Sequence, residues 1–330
     1  MAADEPADKP AVLIIGGLGY TGRFLAKHIH DNNLASEIRL VDKHLPELAW
    51  LAPEFKDVCT RERFVQADAS REQSFPRIFD RPSGKQFDFV FNCGGETRFS
   101  QEDDVYKLRT YGLSLAMGAE AARRRIPVFI ESSTGMVTAH VYGPYTSKFL
   151  GTALCMARVY QALGKEMKWL WKEDLRTNTV HVEDVARALW TGAQWYVDSK
   201  QATPRTFNLV DHGNTSQRTM AALMHDAFKI ETGFHGTLIN TFARMNLDHV
   251  VDEVNDETLD PWADLQQDAG ISNSTPLTPF MEKELLRDTD LSLDGGLFEE
   301  EVGFRYQHES LTLEEVERVI ASYKAMGWWP

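Results

Sequence analysis

The chain has 330 residues, 43% hydrophobic and 25% charged, enough to bury a sizeable core in one large domain or two modest ones. Its formal net charge of −14 repels nucleic acid and anionic membranes, so neither is an expected partner. No apolar run approaches the roughly 18 residues of a membrane span. The acidic start is neither a signal nor a transit peptide, and the scattered Cys59, Cys93 and Cys155 suit a reducing compartment, so a soluble, cytoplasmic protein is expected.

Residues 1–10 read as a mobile tail. Ala11 to Ile15 is an apolar run of the kind that forms a buried parallel strand. Gly16, Gly19 and Gly22 follow at a spacing of three, with Tyr20 and Thr21 between them. The pattern then turns helical over about 21–32, with Phe24, Leu25, His28 and Ile29 on one side. A strand that breaks into glycines and resumes as a helix brings backbone N–H groups and a positive helix end to one point, which suits a pyrophosphate. Gly16 allows the tight turn, Gly19 the close approach of phosphate, and Gly22 the packing of helix on strand. A purely structural Gly-rich turn is the competing reading.

The next strand, 37–41, ends in Asp42, twenty residues beyond Gly22, where a dinucleotide fold needs a carboxylate for ribose hydroxyls. A 2′-phosphate about 4 Å from that carboxylate costs roughly 1 to 4 kcal/mol. NAD is therefore expected over NADP, although Lys43 softens the preference. A third strand at 61–66 leads to Asp68, which reads as an adenine-side ligand or as a cap before Ser70. The run Phe87 to Phe91 ends in Asn92, Cys93, Gly94 and Gly95. A helix over 101–124 and a strand over 126–131 follow, and the strand runs into Ser132–Thr134. Strands regularly separated by helices predict an α/β, Rossmann-like, doubly wound parallel sheet. Ligands then lie beyond the carboxyl ends of its strands, where these segments converge.

The second half is less regular. Helices are expected at 148–163, 183–195 and 216–230, and strands at 178–182 and 206–210. The acidic stretch 244–279 reads as irregular structure or a lid. Thr312 and Glu315 have capping-box spacing before a helix to about Met326. His181 reads as a packed structural histidine, Trp169 and Trp171 as packing residues, and Glu299–Glu301 as a solvated face. The expected organisation is a dinucleotide-binding domain over 11–140, rejoined by about 176–215. A smaller C-terminal α/β substrate-binding region takes 141–175 and 216–330.

Together the glycines, Asp42, Asp68, Phe89–Gly95 (FVFNCGG), Thr110–Ser132, Thr179–Ala186 (TVHVEDVA) and Val302–Trp329 resemble the extended short-chain dehydrogenase/reductase superfamily, NAD-dependent epimerase/dehydratase group. The resemblance implies NAD held by Gly16, Gly19, Tyr20, Thr21, Gly22, Asp42, Asp68, Asn92 and Gly94. It also implies a small-molecule substrate (a secondary alcohol or ketone such as a sugar nucleotide) and a homodimer formed through two long helices. Chemistry in that group rests on a Ser or Thr, a Tyr and a Lys. The Tyr acts as acid or base, its pKa lowered by nearby positive charge. Ser133 matches the Ser.

The Tyr–Lys pair, a YxxxK spacing on one helix face, has no match at the right place. Val141–Pro144 (VYGP) resembles a motif that relatives carry well after that helix, yet only residues 134–140 separate it from Ser133. A helical crossover needs at least about 10–12 residues. The spacing therefore predicts that the helix bearing Tyr and Lys, and one strand, are missing. The alternative is a relocated pair, Tyr145 and Lys148, spaced i, i+3. Arg109 also stands where relatives commonly carry Asn. Two functions stay open: an NAD-dependent oxidoreductase or epimerase/dehydratase, and a catalytically impaired NAD-binding relative, either a binding protein or a shortened variant of an active enzyme.

Overall fold

Five consecutive apolar residues can be buried on both faces only inside a covered sheet. Ala11–Ile15 is such a strand, β1, and all five residues are buried. The computed structural model describes residues 9–133, 139–286 and 288–330; residues 1–8 of the tail expected at 1–10, and Thr134, lie outside the described residues. After β1 come α1 (Tyr20–Asp31), β2 (Glu37–Asp42), β3 (Phe64–Gln66), α2 (Phe75–Phe79), β4 (Phe89–Asn92), α3 (Asp103–Tyr106), α4 (Leu113–Arg123) and β5 (Val128–Glu131). The five strands form one parallel sheet in the order β3-β2-β1-β4-β5. The chain winds outward from β1 to β3, then returns to lay β4 on the other side of β1. The carboxyl ends of β1 and β4 thus flank the switch point where such sheets bind ligands.

Chain order continues through β6 (His140–Tyr142), α5 (Leu150–Leu163), β7 (Met167–Trp169), β8 (Thr179–His181), α6 (Val182–Asp198), α7 (Gln217–Phe228), β9 (Thr232–Phe234), α8 (Thr237–Met245), α9 (Leu247–Asp268), α10 (Gly296–Val302) and α11 (Leu313–Ala325). Two compact units result. Residues up to 136, 182–207 and 298–304 form the first; 137–181, 208–297 and 305–330 form the second. In the first, Leu13, Ile15, Val41, Ile78, Phe79, Val90 and Met117 share a core. On β4, Phe89 and Phe91 meet Trp190 of α6 at ring separations of 5.5 and 6.5 Å. In the second, β6 pairs with β8 and β7 with β9, both parallel. Its core gathers Leu154 and Cys155 of α5, Met224 of α7, Trp262 of α9, and Val319 and Tyr323 of α11.

Several expectations need correction. Residues 206–210 form no strand. The Val210 N–H donates to the Tyr306 hydroxyl (3.1 Å), and only Asp211, through its N–H, reaches the β8 carbonyl of Thr179 (2.9 Å). The supposed lid at 244–279 is largely the 22-residue helix α9. Its acidic composition and Pro261 mask a helical stripe of Val250, Val251, Val254, Thr258, Trp262 and Leu265. The single helix expected over 101–124 is divided by a π-helical turn, Lys107–Gly112, between α3 and α4. The capping read at Thr312 is present: its hydroxyl accepts from Glu315 N at 3.3 Å.

Candidate functional site

The turn after β1 is shaped by backbone crowding. Gly16 has φ +69°, and a Cβ there would fall 2.7 Å from the Cys93 carbonyl oxygen. A Cβ on Gly22 would fall 2.2 Å from the Gly16 carbonyl oxygen, and one on Gly17 2.9 Å from Leu40 Cβ. Gly17 is a required glycine that the spacing motif did not single out. The Gly16 and Gly17 N–H groups both bond the Val41 carbonyl (2.8 and 3.1 Å), which ties the turn to β2.

Gly19 is exposed and is the N-cap of α1, with no side-chain cap and no acidic residue in the first turn. The opening N–H groups of a helix lack intrahelical acceptors, so Tyr20, Thr21 and Gly22 present a positive end beside a surface made of glycine. That cradle, which any Cβ would fill, fits a pyrophosphate.

Asp42 ends β2 at the same edge of the sheet. Its Oδ1 accepts from the His44 N–H (3.1 Å), and the His44 ring lies 3.6 Å away, so a half-buried carboxylate is fixed at the strand end. Asp68 follows β3. Its Oδ1 accepts from both the N–H (3.1 Å) and the hydroxyl (2.6 Å) of Ser70, the local turn that competed with the ligand reading. Partial burial works to raise the Asp68 carboxyl, but the Ser70 bonds hold it below its usual range.

Asn92 is buried at the end of β4. Its amide donates to Glu131 Oε2 (2.8 Å), and its Oδ1 accepts from Gly94 N (3.2 Å). Ser114 donates to the other Glu131 oxygen at 2.8 Å. Desolvation lifts the Glu131 carboxyl above its ordinary range, although both hydrogen bonds pull it back. Burial, and the Glu131 charge behind it, push the Cys93 thiol up to about 12, so it stays protonated. Glu131 was legible only as part of a strand.

A second group lies on the loop beyond Gly94. Glu96, almost wholly buried, accepts from Arg98 N (3.1 Å), from Arg98 Nε and Nη2 (3.0 Å each) and from Arg109 Nη1 (3.0 Å). Its own N–H donates to Thr110 Oγ1 at 3.0 Å. Chiefly through the Arg98 hydrogen bonds, the carboxyl is held down at about 2. The π-helical turn carries both Arg109 and Thr110 to this loop, and such turns are frequent at functional sites.

Ser133 is exposed just past β5 and belongs to the first unit. Tyr145 and Lys148 belong to the second. Tyr145 has φ +64°, donates its N–H to Ser322 Oγ (2.9 Å) and packs edge-on against Trp328. Lys148 precedes α5, which begins only at Leu150. These two side chains share no helix face, so the relocated helical pair is not present. His181 is fully buried, stacked 3.6 Å from His308, and Glu315 lies 3.6 Å from its Nε2. Trp171 is buried and donates to the Leu286 carbonyl at 2.7 Å, while Trp169 packs against the second core. Within the run 299–301, Glu301 pairs with Arg205.

A separate cleft of about 700 Å³ lies at the amino ends of β2 and β3, away from these groups. Its Arg39 is engaged by the Ile78 and Asp80 carbonyls and by Glu37.

Residues 12–147 match the NAD dependent epimerase/dehydratase family. No curated protein sequence matches the chain. Among solved structures, UDP-N-acetylglucosamine 4-epimerase from Methanobrevibacter ruminantium M1, in complex with UDP-N-acetylmuramic acid, is similar with a TM-score of 0.60 at 11% identity, over 96% of this chain and 99% of that one. UDP-glucose-4-epimerase from Stenotrophomonas maltophila, with bound NAD and formylated UDP-arabinopyranose, gives 0.60 at 15% identity over 96% and 98%. An epimerase from Methanothermobacter thermautotrophicus gives 0.61 at 13% identity over 96% and 93%. At such identities the likeness is one of fold. No described helix is long and apolar enough to cross a membrane.

Proposed function

From the match of residues 12–147 to the NAD-dependent epimerase/dehydratase family, we propose that this chain is a member of it, binds NAD and acts as an oxidoreductase or epimerase/dehydratase on a secondary alcohol or ketone, with a sugar nucleotide as the substrate class. The observation that carries the reading is the glycine cradle at the start of α1, tied to the end of β2 that carries the fixed carboxylate of Asp42. The Tyr20–Gly22 N–H groups would hold the pyrophosphate, Asp42 one ribose, Asp68 the adenine side, and Asn92 with Gly94 the other ribose. Bound NAD supplies the hydride acceptor. Ser133, exposed past β5, would hold the substrate oxygen by its hydroxyl.

A second reading is favoured by one observation. Residues 132–139 alone join β5 to β6, and Tyr145 sits in a left-handed turn rather than on a helix with Lys148. A chain lacking the usual proton-transfer pair binds cofactor without turnover, as a cofactor-responsive partner or a shortened form of an active enzyme.

Calorimetric titration with NAD⁺ tests the common part: micromolar binding is expected, and Asp42→Ala should abolish it. Over a panel of sugar nucleotides, absorbance at 340 nm for net hydride transfer, together with NMR of the products for redox-neutral epimerisation or dehydration, separates the readings. Turnover lost in Tyr145→Phe supports the enzyme with a relocated acid, whereas no turnover with intact binding supports the second reading. Absence of NAD⁺ binding by a folded chain overturns both.

A further inference from the structure

The Glu96, Arg98 and Arg109 cluster is more than a stabilising ion pair. Its carboxylate side chain is only 4% exposed, whereas the side chains of Arg98 and Arg109 are 60% and 46% exposed. One buried anion therefore anchors two guanidinium groups whose outer edges face solvent. Arg98 uses Nε and Nη2 on Glu96, which leaves Nη1. Arg109 uses Nη1, which leaves Nε and Nη2. Among the described residues these remaining donors have no hydrogen-bond acceptor. The cluster carries a net charge of +1 in a chain whose total is −14.

Its position gives that charge a use. The loop leaves the carboxyl end of β4 directly after Gly94, whose Cα lies 2.8 Å from the point where a Gly16 Cβ would sit. The cluster thus follows the carboxyl end of β4, on the ligand side of the sheet, and β1 separates that strand from β2, which carries Asp42. Guanidinium forks match the planar or tetrahedral oxygens of carboxylate and phosphate. Anchoring them in advance removes part of the ordering cost of binding.

We infer that Arg98 and Arg109, held by Glu96, form an oxyanion subsite for the substrate, taking a phosphate or carboxylate group of a sugar derivative. The inference deepens the proposed function and rests on it for the substrate class.

Calorimetry on the full chain with saturating NAD⁺ tests it, using inorganic pyrophosphate, UDP-glucose and UDP-glucuronate as probes. Arg98→Gln and Arg109→Gln should each weaken an oxyanion probe about tenfold or more while NAD⁺ affinity stays within threefold. Arg98→Lys, which keeps the charge but not the fork, should fall between. If phosphate is the group bound, pyrophosphate and both sugar nucleotides weaken together. If carboxylate is bound, UDP-glucuronate binds more tightly than UDP-glucose, and the variants erase that difference. Sugar nucleotides that bind equally well to the unmodified chain and both Gln variants overturn the subsite and leave the proposed function standing. Pyrophosphate binding that depends on the arginines, with no sugar nucleotide bound, keeps the subsite and removes the substrate class. A loss of NAD⁺ affinity in the variants, or no binding of any probe, overturns the inference. Melting curves on each variant report whether the fold is kept.

Discussion

A Cβ on Gly22 would lie 2.2 Å from the carbonyl oxygen of Gly16, so the third glycine of the turn is imposed by the first. Gly22→Ala should therefore displace α1 from β1, destabilise the chain by about 1 to 3 kcal/mol as overpacking does, and weaken NAD⁺ binding. At Gly19 the nearest atom to a Cβ is 3.1 Å away. Gly19→Ala should keep the melting temperature nearly unchanged and lower NAD⁺ affinity alone. Equal melting of Gly22→Ala and the unmodified chain would refute this account of the turn.

In the proposed site, Asp42 sets the choice of cofactor. A carboxylate about 4 Å from a 2′-phosphate costs roughly 1 to 4 kcal/mol. NADP⁺ should accordingly bind some five- to several-hundredfold more weakly than NAD⁺. Asp42→Asn should narrow that ratio by tenfold or more, aided by the exposed Lys43 and His44 beside it. Competitive titration of the two cofactors measures the ratio directly, and an unchanged ratio would assign the selection elsewhere.

Glu96 gives the first unit an acid-sensitive element. Its carboxyl lies at about 2 in the folded chain against an ordinary 4.5. The unfolded chain therefore binds the proton first, and the Glu96 contribution is complete above about 4.5 and lost as pH falls toward 2. Glu96→Gln should lower stability by about 1 to 3 kcal/mol at pH 7. The two chains should converge in urea unfolding midpoint as the pH approaches 2.

His140 acts in the same direction at milder pH. It stacks on Phe149 with 3.7 Å between ring centres, and desolvation lowers its pKa from 6.5 to about 4. The folded chain keeps this ring neutral while the unfolded chain charges it, so stability is full above about 6.5 and declines between 6.5 and 4. His140→Phe should flatten the melting temperature over that interval. A curve parallel to that of the unmodified chain would rule out His140 as the cause.

The first unit was largely legible because its signals are local. The apolar run at Ala11–Ile15, the glycine spacing and Asp42 at a strand end each follow from residues close in sequence. Helix α9 was missed because its apolar positions are sparse among acids and Pro261 suggests a break, although every fourth or so residue from Val250 to Trp262 faces the core. The Glu96–Arg98–Arg109 cluster has no sequence pattern. Arg109 arrives through a π-helical turn, and nothing in the residues Lys107–Gly112 announces the extra residue in that turn. The Tyr145 and Lys148 spacing suggested a shared helix because a tyrosine with positive φ is not foreseeable from its neighbours.

The order in which this protein emerges from the ribosome matters to how it can fold. The first unit ends with residues 298–304, in which Phe298 and Phe304 pack together and Phe298 meets Phe207. The second unit ends with residues 305–330, which bring α11 and Trp328 into its core. Each unit therefore lacks some of its buried aromatic side chains, Phe298 and Phe304 in the first and Tyr323 and Trp328 in the second, until the residues beyond 297 have been made. Vectorial folding, one domain finished before the next begins, is denied to this topology. The first unit is complete only when residues 298–304, made about 170 codons after the end of β5, reach Phe207.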